Sequence, residues 1–306
     1  MFELVVNPAG AGGRSKKLIH QVEELFSDVE FRTHYSTKEH GIREIVSELT
    51  QQEGIINLVI LGGDGTMNEA INGIQDFSRV RLGLLPSGSA NDLAKDIGIS
   101  ASLKEQIARI KRGEIVRSID VGELSCRNEQ EEPVTARFNV SAGVGWDAEI
   151  CEEVEASSWK PLLNRIHLGK LIYIAVAIRS VFAMNRFRCL IEEAGNRHHY
   201  DQCVFAAAMN HRYEGGGFMF GPNAKDDDGL LDVCVANNLS VKDFFLLFPK
   251  AYNGHHIDGV HAFEHRTREV HITSDQPVWV HTDGEVLCKS SDVVIRLGKE
   301  KLNLLF

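Results

Sequence analysis

LVILGGDGTMNEAING, residues 58–73, leaves an apolar run through Gly-Gly-Asp-Gly and enters a helical pattern with no spacer. LVIL reads as a buried strand, and TMNEAI as the first turns of a helix. A strand, a Gly-rich turn and a helix in that order present backbone N–H groups and a helix dipole to a phosphate. The usual phosphate signatures are absent: there is no G-x-x-x-x-G-K-[ST], and the glycines are not spaced G-x-G-x-x-G. Asp64 stands where the anion would dock. A carboxylate about 4 Å from a phosphate oxygen is repelled by roughly 4 kcal/mol at an effective dielectric of about 20. The loop tolerates that charge if a cation lies between the two groups, or if the carboxylate takes a proton from the attacking group. Both readings are phosphoryl transfer. A tight turn in which Asp64 caps local N–H groups is the plain structural alternative.

Two further loops resemble this one. FELVV (2–6) runs into NPAGAGGRS, and LGLL (82–85) runs into PSGSAND. Around them, strand and helix signals alternate over the first 120 residues. They include a helix from about Ser15, the strand VEFRTHY, a helix from about Glu39, and helices through Arg112. That alternation predicts a parallel, doubly wound α/β sheet. Thr66 and Glu69, and likewise Ser89 and Asp92, have capping-box spacing, so helix capping is expected of them. In an open α/β sheet the loops at the carboxyl ends of neighbouring strands converge on one crevice. Three Gly- or Ser-rich loops there predict a nucleotide-phosphate site.

From about Val116 the segments become short, β-rich and turn-bounded, from RSIDVGEL through TARFNVSAGVG and QCVFAAAMN to DVVIRLG. They predict an antiparallel, β-sandwich-like domain with helical insertions near 150–185 and 241–251. The expected division is 1–121, with 299–306 a candidate to complete it, and 122–298.

The formal charge of −10 leaves no basic field for nucleic acid, and any docking on a lipid surface must be local and apolar. The six cysteines form no C-x-x-C and read as buried free thiols, which suits a reducing, cytoplasmic setting. MFELVVNP is too short for a signal h-region. The most apolar segment, Leu171 to Met184, is interrupted by Arg179 and falls short of the roughly 20 residues of a membrane span. The adjacent pairs His198–His199 and His255–His256 lack metal-site spacing, so no zinc site is expected.

Four stretches of the second half could carry chemistry. SIDVG places Asp120 within a strand. HRYEGGGFMFGPNA brings three glycines, Gly215 to Gly217, where backbone could approach a ligand. NAKDDDGLLDV makes an oxygen-rich turn suited to a hard cation, or an ordinary Asp-Gly turn. HTDGE, His281 to Glu285, alone reads as a type I′ hairpin turn.

Taken in order, NPAGAGG, GGDGTMNEAING, PSGSANDLAKDIGI, SIDVG, DDDGLLDV and HTDGE resemble the diacylglycerol kinase catalytic family. That family includes bacterial soluble lipid kinases and is similar to sphingosine and ceramide kinases; the resemblance covers essentially the whole chain. It implies a kinase dependent on ATP and Mg2+ that phosphorylates a primary hydroxyl of a lipid during transient contact with the membrane surface. ATP would lie along the carboxyl edge of the first domain, and the second would hold the lipid. A homodimer through a β edge is compatible with it. By position, the resemblance assigns Asn7, Thr37, Gly62, Gly63, Asp64, Gly65, Thr66, Glu69, Ser89 and Glu285 to ATP. Asp92 and Asp120 join Asp64 in a charged network. A structural Mg2+ would use the Asp228 side chain and carbonyls near Asp226 and Leu230. Asp283 is the implied general base, with Asp64 the other catalytic candidate.

Three departures stand out. Ser89 replaces the family's usual Thr and keeps the hydroxyl. The basic partner of the acidic network is open between Arg14 and Lys16. Residues 150–169 match no motif, so any part they take in the lipid cleft hides the substrate's identity. NAD kinase shares GGDGT and the two-domain plan, but MNEAING and PSGSAND favour the lipid kinases. A nucleotide-binding protein without catalysis is opposed by intact Asp64, Asp283 and Glu285. Diacylglycerol, giving phosphatidic acid, is the first expected substrate; a sphingoid base or a polyprenol presents the same primary hydroxyl on an apolar tail.

Overall fold

FELVV is apolar at every position because its strand is covered on both faces: β1 (Phe2–Val6) is buried throughout and lies parallel between two neighbours. The computed structural model containing it describes residues 1–8, 10–99, 102–157 and 169–306; for 11–14, 17 and 169–171 it describes the backbone alone. One unit of the structure includes Met1–Asp120 and Lys299–Phe306, and the other includes Val121–Ser157 and Ile172–Gly298.

In the first unit β2 (Phe31–Tyr35), β1, β3 (Ile56–Gly62) and β4 (Val80–Pro86) lie side by side, all parallel. Residues 303–305 add a further parallel segment beside β4. The order turns back between β1 and β3, which is where an open sheet of this kind forms its crevice. Leu4, Val6, Val59 and Leu61 pack with Phe26 and Leu305 in one core. Helices α1 (Gly10–Phe26), α2 (Ile42–Gln51), α3 (Asp64–Gly73), α4 (Asp92–Asp96) and α5 (Leu103–Ile110) connect the strands. Two starts differ from expectation. Helix α1 begins at Gly10 rather than Ser15, where the Gly10 N–H donates to the Asn7 carbonyl and the chain already turns. Helix α2 begins at Ile42 rather than Glu39: His40 N–H donates to Thr37 Oγ1 and Gly41 N–H to the Glu44 carboxylate, so residues 37–41 form a turn of their own.

The second unit is antiparallel. Its strands are β5 (Arg117–Arg127, which starts in the first unit), β6 (Pro133–Phe138), β7 (Ser141–Gly145), β8 (Phe187–Glu193) and β9 (Asn196–Met209). They are followed by β10 (Leu231–Asn237), β11 (Ala262–Thr267), β12 (Glu269–Thr282) and β13 (Glu285–Leu305, which ends in the first). Pairing runs β11-β10-β9-β7-β12-β13; β8 pairs with both β9 and β12, and β5 with β6. Alternating residues such as Phe138, Val144, Ile191, Val233, Val280 and Ile295 fill a single core, as the sandwich-like reading requires. Helices α6 (Trp146–Ala156), α7 (Gly169–Ser180) and α8 (Val241–Ala251) and a 3-10 turn, Val181–Ala183, are its insertions. The unassigned stretch 150–169 falls in part on 158–168, outside the described residues. Among the described residues no helix is long and apolar enough to cross a membrane. All six cysteines are free, four of them buried. The Cys126 and Cys288 sulfurs lie 3.6 Å apart, and burial followed by the Cys288 contact pushes the Cys126 thiol up to about 12.

Candidate active site

The carboxyl edge of the first sheet is assembled by close backbone approach. Ser87 N–H donates to the Gly62 carbonyl at 2.8 Å, fastening the β4 loop to the β3 loop. A methyl group on Gly63 would sit 2.8 Å from Gly88 Cα, and one on Gly88 would sit 2.6 Å from Gly63 Cα. The two loops touch because neither residue has a Cβ. The β1 loop joins them through Ser15 and Ser87, whose buried hydroxyls are 2.8 Å apart. Asn7, the Gly62–Thr66 turn, Ser89 and Asp92 thus share this edge, and Thr37 follows β2 on it.

Asp64 opens α3, with Gly63 as its N-cap. The expected capping boxes are not formed. Because α3 starts at Asp64, Thr66 and Glu69 lie inside the helix, and Thr66 packs on Gly62 instead. Glu69 accepts the Ile42 N–H at the start of α2, and burial raises its pKa. Ser89 lies two residues before the N-cap of α4, which is Asn91; Asn91 is in the left-handed region with φ 53° and donates to the Gly88 carbonyl. Asp92 is the first residue of that helix. Asp92 and Asp120 are both buried. Lys301 lies 3.0 Å from Asp120; the Arg14 side chain, one of the two expected candidates, lies outside the described residues. Lys301 belongs to β13, far from every motif that could have announced it.

In the second unit the HTDGE turn is a two-residue hairpin between β12 and β13, with positive φ at Asp283 (51°) and Gly284 (81°). That is the sign pattern of the type I′ reading. The Asp283 carboxylate accepts the backbone N–H groups of Asn139 (3.0 Å), Val140 (2.8 Å) and Ser141 (3.1 Å).

Next to it His281 is fully buried, with Nε2 at 3.1 Å from Asp147 and 3.7 Å from Glu214. Ser141 Oγ donates to Glu214 at 2.7 Å. Gly143 makes room for the pair: a Cβ there would meet Asp147 at 2.4 Å and His281 at 2.7 Å. Burial pushes the imidazole pKa down, but Asp147, then Glu214 and Asp283, outweigh it and bring it up to about 9. Gly284 N–H, however, donates to His281 Nδ1 at 3.1 Å, which needs a lone pair on that nitrogen. A proton on Nδ1 must therefore release Gly284. Sequence reading missed Asp147, Glu214 and His281 as a group, because they come together from the first turn of α6, the loop after β9 and the end of β12.

The acidic turn holds its residues differently. Asp228 accepts the Leu230 N–H at 3.0 Å and pairs with Arg266, while Asp226 is buried with His211 at 3.8 Å. Asp232, buried on β10, lies 3.9 Å from Arg266, and neither of its oxygens accepts a hydrogen bond among the described residues. Burial, then Glu264, pushes its pKa up to about 6. The surroundings hold more acid than base, and an orphaned carboxylate is an oxygen donor suited to a hard cation. The donor set therefore fits Mg2+, with Arg266 as the competing charge on Asp228. A second group went unforeseen: Glu193, His198 and His265 bring three possible ligand atoms within 4.8 Å of one another. Here Glu193 and His198 are 3.3 Å apart and Tyr200 bonds His265 at 2.6 Å.

Beside the His281 cluster opens an apolar cavity of about 120 Å³, floored by Phe205, Phe218 and Phe248 and lined also by α6 and α7. Asp147 and Glu214 line it too. An apolar cavity of comparable size is known to accept benzene, so this one suits part of an alkyl chain.

Residues 2–124 match the diacylglycerol kinase catalytic domain, and residues 139–305 match the YegS C-terminal NAD kinase beta sandwich-like domain. A Bacillus subtilis protein named "Putative lipid kinase YtlR" is 25% identical over 92% of each chain. The diacylglycerol kinase of that organism is 24% identical, over 92% of this chain and 88% of its own. A Bacillus anthracis diacylglycerol kinase structure covers 100% of this chain and 96% of its own with a TM-score of 0.71 at 19% identity. An Archaeoglobus fulgidus NAD kinase in complex with ATP covers 100% and 94% with a TM-score of 0.52 at 10% identity, a likeness of fold alone. With both of its units matched by those two models, the chain is a kinase that belongs to the diacylglycerol kinase family of lipid kinases.

Proposed function

We propose that the protein transfers the γ-phosphate of ATP to a primary hydroxyl of a lipid, with diacylglycerol the first candidate acceptor. The observation that carries this reading is the cavity of the second unit, apolar apart from Asp147, Glu214, Tyr173, His256 and His261, with burial holding the His256 pKa down to about 4. Carboxylates accept hydrogen bonds from hydroxyls and repel a phosphate headgroup, so the space suits an uncharged lipid alcohol better than an anionic phospholipid. ATP is assigned to the edge formed by Asn7, Thr37, Gly62–Thr66, Glu69 and Ser89. Asp64 would hold the Mg2+ that accompanies ATP, which would supply neutralisation of charge on the phosphates. A structural Mg2+ would be held by the Asp228 side chain with carbonyls near Asp226 and Leu230, Arg266 being the charge that competes for Asp228. Asp283 takes the hydroxyl proton, its carboxylate oriented by the N–H groups of Asn139, Val140 and Ser141, and Asp92, Asp120 and Lys301 fix the charge behind the nucleotide edge. Radiolabelled ATP offered with diacylglycerol, a sphingoid base, a polyprenol, NAD or nothing tests the reading, the product being identified by mass spectrometry. Label in a lipid phosphate supports it. Label in NAD alone would transfer the protein to the NAD kinases, whose fold it shares.

A further inference from the structure

Helix α8 is apolar on two sides. Phe244, Leu247 and Phe248 face the cavity. The opposite side exposes Phe245 (46%), Leu246 (56%) and Pro249, with Lys242 and Lys250 at its flanks. The 3-10 turn Val181–Ala183 packs against this helix and carries Phe182, 71% exposed; Tyr252, just past the helix, is 55% exposed. Exposed apolar residues scattered singly are ordinary on a soluble protein, whereas a contiguous group marks an interaction surface.

We propose that this face docks on a lipid bilayer and that α8 is the threshold over which the acceptor lipid passes into the cavity. The identity of the occupant rests on the lipid-kinase reading above. Continuity argues for it: one helix presents Phe245 and Leu246 outward and Phe244, Leu247 and Phe248 inward, and α7 likewise exposes Ile178 while giving Ile174 and Ala177 to the cavity. A lipid moving from bilayer to cavity along these helices keeps its tail out of water. Composition argues for it as well. Phe, Leu and Tyr bordered by lysines, whose stems lie along apolar surface while the ammonium stays wet, are the make-up of an interfacial helix. At 11 residues α8 is far short of the roughly 20 needed to cross, so it lies along the surface. The formal charge of −10 removes any general attraction to anionic lipid and leaves this apolar contact to supply the affinity.

The test is co-sedimentation with phosphatidylcholine vesicles without ATP, comparing the parent with Phe245→Ser/Leu246→Ser. Ile55→Ser, another exposed apolar position (55%) in the first unit, is the control. The parent and the control are expected to partition onto vesicles, and the double variant to lose about tenfold or more in partition coefficient. Raising salt from about 0.15 to 0.5 M should change the parent's partition by less than about twofold. In assays the double variant should lose activity on vesicle-borne diacylglycerol in proportion and keep it on a short-chain diacylglycerol dissolved in water. A parent that does not sediment, or a double variant that sediments like it, overturns the proposal. So does a parent dimer that the double variant dissociates, which would make the patch a contact between two copies of this chain. A parent that sediments but labels no lipid sinks the kinase reading and leaves the docking surface standing. A double variant that still labels vesicle-borne lipid like the parent does the reverse.

Discussion

The two Asp-Gly turns of this chain, Gly62–Gly65 and Thr282–Glu285, look alike in sequence and are held by opposite means. The first is shaped by absent side chains: Gly63 and Gly88 bring two loops into contact because neither carries a Cβ. The second is shaped by side chains that act as acceptors, the Asp283 carboxylate for three backbone N–H groups and the His281 ring for that of Gly284. A turn built from backbone should tolerate polar substitutions around it and fail on a single methyl. A turn built from acceptors should fail when an acceptor becomes a donor.

The largest effect is expected at Asp283→Asn. Turnover should fall by about 10²–10⁴-fold if the carboxylate is the base. One oxygen of the new amide can still accept, but its NH2 must face a backbone N–H, which costs stability on the order of 1–3 kcal/mol. Affinity for a non-hydrolysable ATP analogue, read by titration calorimetry, should stay near the parent's. Loss of turnover with an unchanged melting temperature would leave the base role alone; a lowered melting temperature with normal turnover would make Asp283 a purely structural acceptor. Asp64→Asn should weaken magnesium–ATP binding as well as turnover, and the opposite pattern in the pair would exchange their roles.

Next comes Gly88→Ala. The added methyl would meet Gly63 Cα at 2.6 Å, and displacing the loops by about 1 Å should lower kcat/KM for ATP by about 10²-fold. An alanine variant with parental kinetics would mean the loops need not touch.

A pH effect follows from His281. Its folded pKa of about 9 lies above the ordinary histidine value, so the stability it contributes is fully present below about pH 6.5 and is lost as pH rises through 9. The size is on the order of 3 kcal/mol. Because a proton on Nδ1 must release Gly284, the Gly284 amide resonance should titrate together with the ring. His281→Gln should flatten both curves, and an amide that stays still while the ring titrates would uncouple charge from turn.

The smallest effect is at Asp228→Ala. It should abolish the rise in melting temperature produced by Mg2+, a linkage worth about 2.7 kcal/mol at a hundredfold excess over Kd. Arg266, left without its partner, should offset little of that. A variant whose melting responds to Mg2+ like the parent restores the plain-turn reading.

How far the sequence was readable follows the same division. The three Gly- and Ser-rich loops could be read from their order because each is a local device whose requirement, no side chain, is written in the residue itself. The capping boxes were misread because T-x-x-E spacing does not say where a helix begins: α3 starts earlier, at Asp64, and Glu69 serves the next helix instead. His281, Asp147 and Glu214 were invisible as a group because their contact spans up to 134 positions, and nothing in H-T-D-G-E tells that its histidine is buried. The pair His198–His199 was set aside on its spacing and His265 was not singled out, although the sheet brings His198 and His265 together.

Lys301 has a consequence for synthesis. It reaches Asp120 on a strand segment that also pairs with β4 and places Asn303 against Ser118, 185 positions earlier in the chain. A ribosome adding about 5–20 residues per second makes the nascent first unit wait roughly 10–40 s for that strand. During the wait β4 is an open edge, available to a strand of another chain, and Asp120 has yet to meet its lysine. The unit made first is therefore among the last parts of the molecule to be finished, and its errors should be errors of timing: more aggregation when translation slows between β5 and β13, at unchanged stability of the completed protein.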